Sequence, residues 1–373
     1  MKHNWKETKL SELLQLNVDS VDVNSQPEFH FAGVYCFGNG LFEKGYQNND
    51  TSYKTFNRLH KNQIVLSKVK GWEGAIALVS EEFEGMFLSP VNPTFELISE
   101  EKANLKFIHY FLQQEHVWQQ LLDKSVGIGA RRNSVSESQF LNLTIGLPQL
   151  EIQNKIIDKI ESVKASLYEL QNLRIEQEKE MNNLRYSLMC NLEIEFPKER
   201  IDAVCDLRKG SFPIMKTDAG EYPFVVTAAE FKTANDFDFD CEATCVPLVS
   251  STGHGNAAMH RVHYASGKFA LSNLLCAVMP KDKEMINTKF LYELFMAKKD
   301  EYFVPIMAGT SNVSLNPGKL GAVEIPIPPI EEQNRIVELL EKINKIKKTH
   351  KEQEAELKQL MPSLLNKAFK GEL

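Results

Sequence analysis

Asn92-Pro93-Thr94-Phe95 is the stretch of this 373-residue chain that comes nearest to a catalytic motif. An Asn-Pro-Pro-aromatic run holds an amine against a methyl donor in amino-methyltransferases. Here the second proline is missing, and "FGNG" (37–40) is too short for a glycine loop that would cradle S-adenosylmethionine. A turn beside a strand is the better expectation. Cys241 and Cys245, with His254, His260 and His263, have the residue types of a zinc site. "CEATC", however, alternates like a strand, and the histidines follow no standard ligand spacing. "SGKF" (266–269) lacks the upstream glycine of a phosphate-binding loop. No Cys/His or Ser/His pairing reads as a nucleophile with its base. Read alone, these residues give no catalytic signature, and no metal site is expected.

The bulk numbers fit that expectation. Hydrophobic residues make up 43% and charged residues 25%, ordinary for a soluble globular protein. The length suggests two domains with connecting elements. No run of eighteen apolar residues predicts a membrane span. The opening "MKHNWKETKL" has no apolar core of a secretory signal. Six cysteines without tight paired spacing fit reduced thiols in a cytoplasm. A net charge of −7 argues against indiscriminate polyanion binding but leaves room for a local basic patch.

The elements that would position a binding site are written twice. "LPQLEIQNKI" (147–156) returns as "IPPIEEQNRI" (327–336), 180 positions on. The alignment pairs Pro148 with Pro328, Glu151 with Glu331, Gln153 with Gln333, Asn154 with Asn334 and Ile156 with Ile336. The same offset places Gly129 on Gly309, Ser134 on Ser314 and Ile145 on Ile325. "WKETKLSELLQL" from Trp5 likewise matches "FPKERIDAVCDL" from Phe196. The chain reads A–B–A′–B′, with divergent globular parts and alike connectors, as a duplication would leave it.

Each connector predicts a long helix behind its proline. The apolar series Ile156, Ile160, Val163, Leu167, Leu170, then Met181, Leu184 and Leu188, and the second series Ile336, Leu340, Ile343, Leu357, Met361 and Leu364, have coiled-coil spacing. Helices of roughly 40 residues span about 60 Å, too long for a small domain to bury. The obvious partner for each seam is the other helix. Arg174 and Gln177 face Lys347, His350 and Glu354 at mid-seam if the pair is antiparallel, a polar layer that would fix register. The repeat "EQE" (176–178 and 352–354) has an offset of 176, so the first helix carries four extra residues.

The globular parts predict short strands at 63–69, 74–80 and 85–90 before a helix at 105–122, and at 222–228, 244–251 and 267–272 before a helix at 287–303. The fold class expected is mixed α/β. Two recognition domains (1–147 and 196–327) with short strands and helices are separated by two long antiparallel coiled-coil helices (148–195 and 328–373), with a pseudo-twofold internal repeat.

This layout resembles the specificity (S) subunit of Type I restriction–modification enzymes. The residues that carry the resemblance are the "LPxxExQxxI" pair, the ending "LMPSLLNKAFKGEL" (360–373), and the stretches "GIGARRNSVSESQF" (127–140) and "AGTSNVSLNPGKLGAVEIPIPP" (308–329). It covers the whole chain. The resemblance implies a non-enzymatic subunit in which each target-recognition domain reads half of a bipartite, asymmetric site on double-stranded DNA. It implies that the helical pair sets the half-site spacing and docks two methyltransferase (M) subunits, with restriction/translocase (R) subunits beyond them. S-adenosylmethionine, ATP and Mg would belong to those partners. The competing readings are a self-contained adenine methyltransferase built on "NPTF" and a coiled-coil adaptor without DNA binding.

Under this resemblance, donors to phosphates and base edges are expected on glycine-bounded loops. The candidates are Arg58, Lys61, Lys68, Lys70 and Trp72 in the first domain. In the second they are Ser251, Thr252, His254, Asn256, Arg261 and Lys268. Arg131 and Arg132 could meet DNA or the methyltransferase.

Overall fold

The computed structural model describes residues 5–123, 134–252 and 255–372. The chain divides into two compact units, Met1–Gln171 with Gln353–Leu373, and Asn172–Glu352. Helices Leu150–Glu195 and Ile330–Phe369 are each shared out between the units. Both run long because no glycine interrupts them. Pro362 sits inside the second, on an exposed turn, where one missing N–H bond is tolerated. Among the described residues no helix is long and apolar enough to cross a membrane.

In the first unit, Lys6–Lys9 pairs antiparallel with Thr144–Leu147 and delivers the chain to the first long helix. One sheet has the order Leu14–Leu16, Thr94–Leu97, Ile64–Leu66, Ile76–Leu78. The other has the order Asp19–Asp22, Thr55–Arg58, Phe87–Leu88, Glu28–Val34, Leu41–Asn48.

The second unit repeats this construction. Lys198–Arg200 pairs antiparallel with Glu324–Pro326 ahead of the second long helix. One sheet runs Cys205–Lys209, Leu275–Pro280, Ala243–Pro247, His263–Ala265. The other runs Phe239–Asp240, Lys268–Leu271, Tyr222–Val225, Lys232–Ala234. A parallel strand pair joins corresponding strands in the two units, Phe31 with Phe87 and Phe224 with Ala270.

The helix seams pack into each unit's core. In the first unit Ile156, Ile157 and Ile160 are buried with Leu365 and Ala368, and Phe369 meets Phe107 at 4.9 Å between ring centroids. Val163, Leu167, Leu170, Leu357 and Leu364 are half-buried. In the second unit Met189 and Leu192 are buried with Ile336, Val337, Leu340 and Ile343, and Leu188 is half-buried. Leu184 departs from the expected seam and is 44% exposed. Its neighbour Arg185, one position further round the helix, faces inward and donates to Asn344 Oδ1 at 2.6 Å. Of the polar mid-seam residues, Arg174, Lys347 and His350 are half-buried, whereas Gln177 and Glu354 are exposed. Arg174 reaches the His350 carbonyl at 3.5 Å, and Lys347 donates to Asn182 at 2.6 Å.

The helix expected over 105–122 is two helices, Leu105–Leu112 and Glu115–Asp123. The break has a cause. Trp118 Nε1 donates to the Leu112 carbonyl at 2.6 Å, and Gln113 turns outward to donate to the Gly38 carbonyl at 3.2 Å.

The repeated glutamine and asparagine join each long helix to its own unit. Gln153 is fully buried. Its Oε1 accepts the Asn104 N–H at 2.8 Å, and its Nε2 donates to the carbonyls of Lys102 (3.2 Å) and Pro148 (2.8 Å). Asn154 Oδ1 accepts from the Asn104 side chain at 3.0 Å, and Asn104 Oδ1 caps the following helix through Lys106 N. Gln333, also fully buried, does the same with Asn287 N (2.9 Å), Met285 O (2.9 Å) and Pro328 O (2.7 Å). Asn334 Oδ1 accepts from Asn287, which caps through Lys289 N. One salt bridge is also duplicated, Lys106 with Glu161 at 3.3 Å and Lys289 with Glu341 at 2.5 Å.

Gln153→Ala or Gln333→Ala would strand one N–H and two carbonyls in a dry site. A loss of about 2–4 kcal/mol is expected for each, read from chemical denaturation of the purified chain. A loss under about 0.5 kcal/mol, the range of an ordinary surface change, would show that the clamp does not anchor the helix.

Candidate nucleic-acid interface

The four basic candidates of the first unit all have carboxylate partners. Lys68 pairs with Glu137 at 2.6 Å and Lys70 with Glu73 at 2.8 Å. Arg58 lies 3.8 Å from Asp19 and over the Phe87 ring. Lys61 binds Glu81 through its ammonium and Glu84 through its backbone N–H. The Glu81 contact raises the Lys61 pKa, and the Glu73 hydrogen bond raises that of Lys70. Exposed ion pairs contribute only about 0–1 kcal/mol, so a phosphate can compete for Lys68 and Lys70. Lys61 has two carboxylates beside it, Glu81 and Glu84, whose field opposes a phosphate and sets this residue apart from the other candidates. Trp72 is half-buried on the core, with Nε1 donating to the Val69 carbonyl at 3.1 Å and Lys70 Nζ 5.1 Å from its ring centre.

In the second unit, Ser250 organises the candidate loop, and the sequence reading passed over it. Its Oγ donates to the Asn256 carbonyl at 2.6 Å and accepts from Ala258 N at 3.1 Å. Ser251 Oγ accepts from His260 N at 3.0 Å, and Thr252 Oγ1 donates to the Asn256 carbonyl at 3.1 Å. Asn256 is exposed, Arg261 is half-buried, and Lys268 is exposed over the Phe237 ring at 4.9 Å. His254, Arg131 and Arg132 lie outside the described residues.

Both candidate loops are held by the segment that leads into a long helix. Val135 N donates to the Lys68 carbonyl at 2.8 Å, and Leu315 N donates to the Leu248 carbonyl at 2.9 Å. The offset between these two bonds is again 180 on both sides. The loops are therefore braced at their base and exposed beyond it.

The rival motifs are occupied otherwise. Asn92 Nδ2 donates to Ser89 Oγ at 2.8 Å within a turn, and Thr94 is buried in a strand. Cys245 lies in the sheet core, where burial pushes its thiol well above the usual range. Cys241 Sγ contacts Met279 Sδ at 3.6 Å. Among the described residues no group of three His, Cys, Asp or Glu could hold a metal ion.

Buried charge is concentrated where the second unit meets its helices. Glu293, 4% exposed, lies 3.2 Å from Arg185 and accepts from Asn344 at 3.2 Å. Burial raises its pKa against the lowering effect of Arg185. Lys298, 2% exposed, is surrounded by Glu193, Glu301 and Cys190. Burial works against its charge, but those neighbours outweigh it and raise the pKa. In the first unit the equivalent junction is lighter. Tyr110 donates to Glu161 at 2.7 Å, and His109 Nε2 lies 3.0 Å from Gln113 Nε2. That amide can only donate, so the His109 proton sits on Nδ1, which is buried with no partner among the described residues.

A profile of the family described as Type I restriction modification DNA specificity domain matches residues 2–180 and 193–359. Those two spans take in most of the chain, and the chain belongs to that family. A Haemophilus influenzae protein named as a type I restriction enzyme specificity subunit is 32% identical over 94 residues, 25% of this chain. The chain spans 23% of that relative's length. The crystal structure of the HsdS subunit from Thermoanaerobacter tengcongensis aligns with a TM-score of 0.66 at 21% identity, over 100% of this chain and 98% of that one. A chain from a structure of type I R-M system complex assembly aligns with a TM-score of 0.70 at 20% identity, over 99% and 98%. These two likenesses show the fold.

Burial lowers the His109 pKa to about 4. A depressed folded-state value gives stability that is full above the unfolded value of about 6.5 and is lost as pH falls toward 4. The thermal-midpoint gap between the wild type and His109→Gln should therefore shrink from pH 7.5 to pH 5. A gap independent of pH would contradict the buried, neutral imidazole.

Proposed function

We propose that this chain is the non-catalytic specificity subunit of a Type I restriction–modification enzyme, with each unit reading one half of a bipartite DNA site. The observation that carries the reading is one scaffold built twice, with the same clamp to its long helix but different outer strands and loops. Two equal attachments suit two equal partners, and two different surfaces suit two different half-sites. On this reading the helices form an antiparallel coiled-coil pair related by a pseudo-twofold repeat. They set the half-site spacing and dock two methyltransferase subunits, with restriction/translocase subunits completing the enzyme. Adenine methylation and DNA cleavage are then partner chemistry, and S-adenosylmethionine, ATP and Mg bind there. The occupied Asn92 amide supports this over a self-contained methyltransferase. The duplicated, loop-bearing sheets support it over an adaptor without a DNA role.

The first test is adenine methylation across the host genome, with and without the gene. Loss of a single bipartite, asymmetric motif is expected. Binding of S-adenosylmethionine by the purified chain alone would overturn the reading. At a net charge of −7 the isolated chain should bind DNA weakly, and tight, specific binding should appear only with its partners. Deleting four residues from mid-helix in Leu150–Glu195 removes about 6 Å of rise, on the order of two base pairs, and returns nearly the same helical face. The methylated motif should then keep both half-sites and shorten its spacer; an unchanged spacer would refute the ruler.

A further inference from the structure

Four strands of this sheet follow the same order in the two units, the first unit adding Asp19–Asp22 at one edge, and the outer hairpin at the other edge differs in length. In the second unit, Tyr222–Val225 and Lys232–Ala234 make three cross-strand pairs. In the first, Glu28–Val34 and Leu41–Asn48 make seven, and Leu41–Asn48 is the sheet edge. The tip of this ribbon is fixed. Phe37 N donates to the Glu73 carbonyl at 2.7 Å, and Gly38 N to the Gly74 carbonyl at 3.0 Å.

The open end is presented differently. The register shifts between Phe31, opposite Gly45, and Ala32, opposite Glu43, so Lys44 is an inserted residue. Gly45 takes φ +82, in the left-handed region that favours glycine. Such a bulge adds twist and re-aims the side chains after it. Tyr46 stacks on His30 with centroids 4.3 Å apart and planes 8° apart, and His30 bonds Glu43 at 2.7 Å. Tyr46 nonetheless stays 65% exposed. It is a large aromatic held in one orientation and left facing solvent. Asn48 is exposed on the same strand face, two residues on. Its Oδ1 meets Asp50 N at 3.4 Å, and its amide N–H groups have no partner among the described residues. Lys44 and Lys54 are exposed. Neither has a carboxylate partner there, unlike Arg58, Lys61, Lys68 and Lys70.

We propose that this edge ribbon is the half-site reader of the first unit. Tyr46 and Asn48 face base edges, and Lys44 and Lys54 contact the flanking phosphates. The inference rests on the functional reading above and names the residues that carry it out. The chemistry fits a duplex. A two-stranded ribbon enters the major groove, about 12 Å wide, and an asparagine amide can bond adenine N6 and N7 together. A preordered aromatic adds contact without an ordering cost.

The test uses the complex assembled with its methyltransferase partners. Its probes are the wild-type methylated motif and two duplexes, each with one half-site scrambled. Asn48→Ala and Tyr46→Ala should each lose discrimination at one half-site, by roughly ten- to hundred-fold, and keep it at the other. Lys61→Gln should leave both unchanged. Unchanged discrimination at both half-sites, or equal loss at both, overturns the proposal. Should Asn48→Ala abolish all binding, Asn48→Gln must bind with altered preference at one half-site, and its failure counts against the proposal equally. A wild-type complex that fails to discriminate among the duplexes defeats the functional reading itself, and this inference with it.

Discussion

A buried side-chain amide at the start of each long helix is the constraint on which the remaining architecture depends. Gln153 and Gln333 are fully enclosed, so each must satisfy its donors and acceptor within the protein. Each does so with one backbone N–H and two carbonyls contributed by segments on either side of the junction. A dry polar network of this kind stabilises when complete and destabilises when one member is lost. The acceptable sequences are therefore few, and the same one occurs twice. Glu151 lies outside the network and pairs with Lys155 at the surface, so its match with Glu331 has a different origin. Nothing in the structure explains that identity.

The frame fixes attachment but leaves electrostatics free to differ. The first unit joins its helix ends through Tyr110, Glu161 and the aromatic contact of Phe107 with Phe369. The second buries Glu293 beside Arg185 and encloses Lys298 among Glu193, Glu301 and Cys190. Buried ion pairs contribute little net stability, since desolvation offsets most of the attraction, but a mispaired partner is costly. The second junction is accordingly the more selective in register, and the first depends more on apolar packing.

The repeat was legible in the sequence because the clamp demands identity of residue, not mere polarity. The long helices were legible from their spacing, except at Leu184. There the apolar pattern suggested a step of three, and the geometry takes a step of four to bring Arg185 inward. The helix break near Gln113 depends on Trp118 reaching back to Leu112, a contact that periodicity does not encode. Strands such as Asp19–Asp22 and Phe239–Asp240 are too short and too polar for an alternation signal. The candidate DNA loops were chosen for their glycines and basic residues. What the sequence hid was the pairing, since Lys68 meets Glu137 and Arg58 meets Asp19 across long stretches of chain. Tyr46 and Asn48 were hidden for the opposite reason. In a polar run, exposure and rigidity cannot be told from disorder until the stacked His30 is seen.

Those pairings bear on how an acidic chain can recognise an acidic polymer. At Arg58, Lys61, Lys68 and Lys70, which already have a carboxylate beside them, a phosphate must displace that neighbour, and these charges contribute little to encounter. On the proposed reading, affinity then comes from surfaces assembled around the chain. The chain's own contribution is discrimination, which needs few contacts, provided they are fixed in place. Loops braced at Lys68 and Leu248 and an edge ribbon anchored at Gly38 meet that requirement. A subunit built in this way can change its target by altering an edge while leaving the clamp, and so its place in the assembly, untouched.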